Sequence, residues 1–268
     1  MKIKKLLTLA LSLTIAGTLA ACANKTETKK DDKKIVVGAT AKPHAEILEK
    51  VKPLLEKEGY ALEIKVFDDY TLLNTALNEK SIDANFFQHI PFLNNEVKQK
   101  GYKLTYTTKV HLEPMGVYSK KITALNDIKN GAEIAVPNDP SNEARALRLL
   151  EKNGLVKFKE GETITPRDIT ENPKNLQFKE LDAAQLPRVL DDVEAAVINT
   201  NYALEAKLNP TKDSLSIESK DSPYANIIAV REEDKDSAKI QALTKAVNSP
   251  EVKKFIEENY NGSIIPAF

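Results

Sequence analysis

In residues 83–93, Phe86, Phe87, Gln88, His89 and Phe92 bring three aromatic rings, an imidazole and an amide into one short run. Large apolar residues are mostly core, so each ring taken singly reads as packing where a strand turns into a helix. Rings mixed with polar tips read differently. Apolar area with a few fixed polar groups is what the wall of a small-molecule pocket requires. A core strand has little use for Gln88 and His89, and Pro91 is incompatible with the middle of a sheet. The run is expected to be pocket wall for a small, partly apolar ligand.

Arg145 is the candidate partner for an anion. It is expected in the first turn of a helix starting near Ser141, where free N–H groups and the macrodipole attract negative charge. A cation there is placed against the dipole, which makes sense beside a bound anion, and the guanidinium offers a carboxylate a two-pronged fork. The same residue also reads as a solvated surface arginine like Arg148. Asn199 and Asn201 follow the apolar run 195–198, and Asn226 precedes the apolar run 227–230. Their amides can reach a crevice, or serve as turns and caps.

Other chemistries find little support. His44, His89 and His111 are scattered, without HxxxH or HExxH spacing, so only folding could assemble them into a metal site. No GxSxG elbow and no glycine-rich phosphate loop occurs, and nine glycines in the chain argue against nucleotide cradling. Neither catalysis nor a cofactor is expected. Basic and acidic residues balance at 39 each. Nothing in that balance favours nucleic acid.

The elements that must position these residues alternate between strand and helix. Residues 35–39 read as a buried strand, followed by a helix with Ile47, Leu48, Val51 and Leu54, a strand over 61–67 and a helix over 72–77. A second series starts at 133–136, continues through a helix over 142–152 stopped by Gly154, and includes the strand 195–198. Such alternation predicts an α/β fold with mostly parallel sheets. The extended stretch 102–118 reads as a first crossing between two lobes, and 227–230 as the return. Helices over 237–247 and 250–259 then pack on the first lobe. The expected boundaries are 35–115 and 225–268 for lobe one and 116–224 for lobe two. A ligand cleft is expected between the lobes, at the C-terminal ends of their strands.

Ahead of the folded part, Lys2, Lys4 and Lys5 precede the apolar run 6–21, which ends Leu19-Ala20-Ala21-Cys22. This is a signal peptide over residues 1–21, too short in its apolar part for a comfortable span. Leu-Ala-Ala-Cys matches the bacterial lipobox, which implies acylation of Cys22 and cleavage before it. Cys22 is the sole cysteine, so no internal disulfide can form. More than one acyl chain meets the condition for stable anchoring. Residues 22–34 then read as a lipidated, disordered tether.

The chain resembles the NlpA family of methionine-binding lipoproteins over essentially all of residues 35–268. The resemblance is carried by Phe67-Asp68-Asp69-Tyr70, the stretch from Asp83 to His89, Glu113-Pro114-Met115-Gly116-Val117-Tyr118-Ser119, the stretch from Pro137 to Leu147, Ala196-Val197-Ile198-Asn199-Thr200-Asn201-Tyr202-Ala203, and Pro223-Tyr224-Ala225-Asn226-Ile227-Ile228. It implies a two-lobed periplasmic-binding-protein (type II) fold with two hinge crossings. It also implies a membrane-anchored, monomeric receptor that passes methionine to an ABC transporter permease and its ATPase. Arg145 is implied to pair with the ligand carboxylate, and Asn199 and Asn226 to meet its amino and carboxylate ends. Tyr70, Phe87, His89 and Phe92 are implied to surround the thioether. Phe92 stands where many relatives have tyrosine, which leaves an apolar wall without that hydroxyl, and Asn201 ranks below Asn199. Two other readings remain: a methionine-containing dipeptide of the Gly-Met type, and a metal-dependent surface protein using His44, His89 and His111.

Overall fold

The computed structural model describes residues 33–268. The signal segment, Cys22 and the tether up to residue 32 lie outside the described residues. Among the described residues, no helix is long and apolar enough to cross a membrane.

The described chain is built on two larger sheets, each carrying its own core. The first has six strands in the order Ile265–Pro266, Leu104–Leu112, Ala225–Arg231, Ala84–His89, Lys34–Ala39 and Ala61–Val66. One face is covered by the helix Glu46–Lys57, whose Ile47, Leu48, Val51 and Leu55 follow helical spacing and are fully buried. The C-terminal helices Ala238–Val247 and Pro250–Tyr260 complete that core with Ile240, Leu243 and Ile256. The opposite face packs Leu77, Ile82, Leu93, Ile227 and Ala229. The second sheet has five strands: Ser216–Ile217, Gly116–Tyr118, Ala195–Ile198, Glu133–Pro137 and Gln177–Leu181. The helix Pro140–Lys152 lies on one side with Ala146, Leu147 and Leu150 buried. Gly154, just beyond that helix, has φ 74°, the left-handed conformation that ends a helix.

The chain passes from the first sheet to the second between Leu112 and Gly116, and returns between Ile217 and Ala225. Two crossings thus join two α/β lobes.

Four expectations are corrected. Both large sheets are mixed, because Leu104–Leu112 and Ala225–Arg231 pair antiparallel in the first and Gly116–Tyr118 pairs antiparallel in the second. Ala225–Arg231 and Gly116–Tyr118, the strands by which the chain enters a sheet after a crossing, run against the βα strands beside them. The first strand begins at Lys34, paired with Ala61, one residue into the expected tether. Ala84–His89 is a core strand after all, with every residue buried. Gln88 is accommodated there because its amide exchanges hydrogen bonds with Asn74 (3.0 and 2.7 Å) and donates to Asn85 (2.9 Å). A closed set of amides removes the cost of burying any one of them. Finally, the helix bearing Arg145 begins at Pro140 with Asp139 as N-cap, so Arg145 lies in the second turn. The dipole argument for its position therefore weakens, since that field acts within the first turn.

Candidate ligand-binding site

His89 ends its strand and caps the next helix, Ile90–Lys100: its Nδ1 accepts the Phe92 N–H at 3.2 Å. The other ring nitrogen must then carry the hydrogen, and Nε2 donates to Asn142 Oδ1 across the cleft at 3.1 Å. Burial, reinforced by the charge of Arg145, pushes the His89 pKa down to about 3. The ring is neutral and its single N–H is in use. The capping geometry also aims Phe92 back toward Phe87, with ring centroids 5.6 Å apart. Tyr70 closes this apolar corner at 5.5 Å from Phe87 and 5.8 Å from Phe92. Its hydroxyl donates to Asn201 of the second lobe at 2.6 Å.

Asn199 occupies the N-cap position of the helix Thr200–Glu205, but its side chain makes no cap bond. Instead Nδ2 donates to Asn142 Oδ1 at 2.8 Å. Asn142 turns its own NH2 to the carboxylate of Asp139, at 3.1 and 3.0 Å. Every proton in this relay is therefore assigned by its acceptors. Asn199 Oδ1 is left as a buried acceptor without a partner among the described residues.

Arg145 is 4 % exposed and held on three sides. Nε and Nη2 donate to the two carboxylate oxygens of Glu218 at 2.9 and 2.5 Å, and Nη2 also donates to the Glu113 carbonyl at 2.7 Å. The guanidinium lies over the Tyr224 ring, 4.3 Å from its centroid. The expected two-pronged fork is thus already taken on its Nε edge by Glu218. A further anion would meet the Nη1 side.

These pieces surround one cavity, lined among others by Tyr70, Phe87, His89, Phe92, Arg145, Asn199 and Asn226. All seven residues that the resemblance implies for ligand contact line it, as does Asn201, whereas Phe86 packs in the core of the first sheet. Its aromatic end carries no ionised side chain, while its other end gathers Arg145, Glu113 and the asparagine amides.

A profile of the family described as NlpA lipoprotein matches residues 35–268. The chain belongs to that family. A methionine-binding lipoprotein of Bacillus subtilis (strain 168) is 46 % identical over 98 % of both chains. A D-methionine-binding lipoprotein of Salmonella typhi is also 46 % identical, over 86 % of each. Among solved structures, a nutrient binding protein from Burkholderia cenocepacia bound to methionine superposes with a TM-score of 0.86 at 52 % identity, covering 87 % of this chain and all of that one.

For this NlpA-family chain, the three-histidine metal set is not formed. His44 and His111 come together with Glu113, their ligand-type atoms lying within 4.8 Å of one another. His89 is committed elsewhere through both ring nitrogens. Within the group Glu113 Oε1 accepts from His111 Nε2 at 2.7 Å and from His44 Nε2 at 3.1 Å, while His111 Nδ1 is buried without a partner among the described residues.

Glu113, Asn142 and Glu218 are not singled out by residue type. Glu113 and Asn142 stand inside family-like stretches, so a signal exists for them. Glu218 lies in a polar run with no pattern, and only the fold carries it to Arg145.

Proposed function

We propose that the protein is a lipid-anchored, extracytoplasmic substrate-binding protein that captures methionine and delivers it to an ABC transporter permease with its ATPase. It acts as a monomer and performs no catalysis. The observation that carries this reading is the polarity of the inter-lobe cavity. A neutral aromatic end suits a slim thioether, and polarizable sulfur against rings is favourable by roughly 0.3–1.5 kcal/mol per contact. The polar end supplies a guanidinium for a carboxylate and the free Asn199 acceptor for an ammonium group. The Burkholderia cenocepacia neighbour bound to methionine and the methionine-binding names of the relatives support it. Hinge closure at the two crossings, with Tyr70–Asn201 and His89–Asn142 bridging the lobes, is the form a permease would recognise.

Mass spectrometry of small molecules released from freshly purified, denatured protein tests the ligand. Methionine at near one equivalent is expected; a Gly-Met-type dipeptide or no amino acid overturns the assignment. Anchoring is tested by Cys22→Ser. The variant is expected to stay uncleaved before residue 22 and to take up no labelled fatty acid, and normal labelling would refute the lipid anchor.

A further inference from the structure

A buried chain of hydrogen bonds runs behind the polar end of the cavity. Thr40 Oγ1 meets His44 Nδ1 at 2.7 Å. His44 Nε2 lies 3.1 Å from both Glu113 Oε1 and Asn226 Oδ1. His111 Nε2 sits on the same Glu113 oxygen at 2.7 Å. Thr40, His44 and His111 are fully buried, and Glu113 is 5 % exposed.

Proton bookkeeping makes this chain directional. An ionised carboxylate only accepts hydrogen bonds, so the imidazole nitrogens facing Glu113 must both carry hydrogens. Burial opposes that charge, but the two imidazoles overcome it and hold the Glu113 carboxyl well below the usual carboxylate range. With its hydrogen on Nε2, His44 meets the Thr40 hydroxyl through Nδ1. It then presents a donor, shared with Glu113, to Asn226. The Asn226 amide can face that donor only with its oxygen, which leaves its NH2 for the cavity it lines. Meanwhile the Glu113 main-chain carbonyl takes a hydrogen bond from Arg145. One residue at the crossing thus touches both groups assigned to the ligand carboxylate.

We propose that Glu113 and His44 are positioning residues that fix the Asn226 amide with its NH2 toward the ligand carboxylate. This rests on the site reading above. In Glu113→Gln the side-chain amide can donate to His44, which allows the imidazole hydrogen to move to Nδ1 and donate to Thr40. Nε2 then becomes an acceptor, Asn226 turns to feed it, and its carbonyl oxygen faces the ligand carboxylate.

A double-mutant cycle read by calorimetry with methionine tests this, with thermal melts confirming that each full-length variant is folded. Glu113→Gln and His44→Phe are each expected to weaken binding by about 10- to 100-fold. His44→Gln, which can place an N–H near the former Nε2, is expected to stay within about 3-fold. In the Asn226→Ala background, Glu113→Gln is expected to add less than about 2-fold, because its effect passes through the missing amide. An additive loss in that background overturns the proposal and means that Glu113 meets the ligand itself. Unchanged affinity in Glu113→Gln, when Asn226→Ala is weakened, overturns it too. If Asn226→Ala binds normally, the site reading fails instead. Should Glu113→Gln not fold, the same cycle built with His44→Phe distinguishes these outcomes.

Discussion

Arg145→Ala is expected to weaken methionine binding by about 30- to 5000-fold, corresponding to about 2–5 kcal/mol for removing one partner of a buried charge pair. The guanidinium is the only cationic side chain lining the cavity among the described residues. A carboxylate brought into that enclosed end without it would lose hydration and gain no counter-charge. Arg148→Ala, on the next turn of the same helix, provides the control. Arg148 pairs with Glu151 at 2.5 Å and bonds the carbonyls of Lys159 and Gly161, so its loss is expected to change affinity less than about 3-fold. Arg145→Ala also strands Glu218, and some loss of melting temperature is expected with it. Glu218→Gln separates the effects, because it keeps the cation while reducing the pull of its partner. Calorimetry on all three variants reads the outcome. If Arg145→Ala and Arg148→Ala bind methionine alike, Arg145 is not the carboxylate's partner.

The second large effect is in ligand choice. Glutamate and lysine are expected to show no detectable binding where methionine binds tightly. Tyr70, Phe87 and Phe92 meet at 5.5–5.8 Å between ring centroids and bring no charge. His89, the imidazole beside them, is neutral at any pH well above about 3. A charged side chain entering this end is desolvated without a partner, at a cost of several kcal/mol. The methionine side chain gains there about 25 cal/mol for each Å² of apolar surface removed from water. Leucine is disfavoured more mildly, since its branch at Cγ broadens the chain where methionine is narrow. Methionine sulfoxide is expected to fall with leucine, because the single His89 N–H already serves Asn142. Competition against labelled methionine measures the order, and glutamate or lysine competing at comparable concentration would exclude this pocket.

Much of the fold is legible in the amino-acid sequence, for reasons that are local. Strand–helix alternation marks two α/β lobes, because burial of one helix stripe and of whole strands leaves a periodic trace. Gly154 announces a helix end through its backbone freedom. The antiparallel pairing of the crossing strands leaves no such trace. Strand direction within a sheet depends on where a partner comes from, and Leu104–Leu112 finds its neighbour in Ala225–Arg231, more than a hundred residues away. The edge strand Gln177–Leu181 is hidden for a related reason. Its charged and polar residues suit a solvent-facing edge and mimic a loop in sequence.

The candidate site divides along the same line. Residue types by themselves determined which groups were available: rings without charge, an arginine, and asparagines at strand ends. They could not determine which atoms of those groups are free. Gln88 lines the cavity, yet its amide is paired with Asn74 and Asn85. Arg145 has lost one edge of its fork to Glu218, 73 residues away. Asn199 exposes an acceptor and Asn226 a donor, although the two residues are chemically identical, because Asn142 accepts from one and His44 donates to the other. The sequence alone determined the two lobes and the chemical inventory of the cleft. Its polarity was decided by tertiary structure, since the direction of a hydrogen bond belongs to a pair of groups and only folding chooses the pairs.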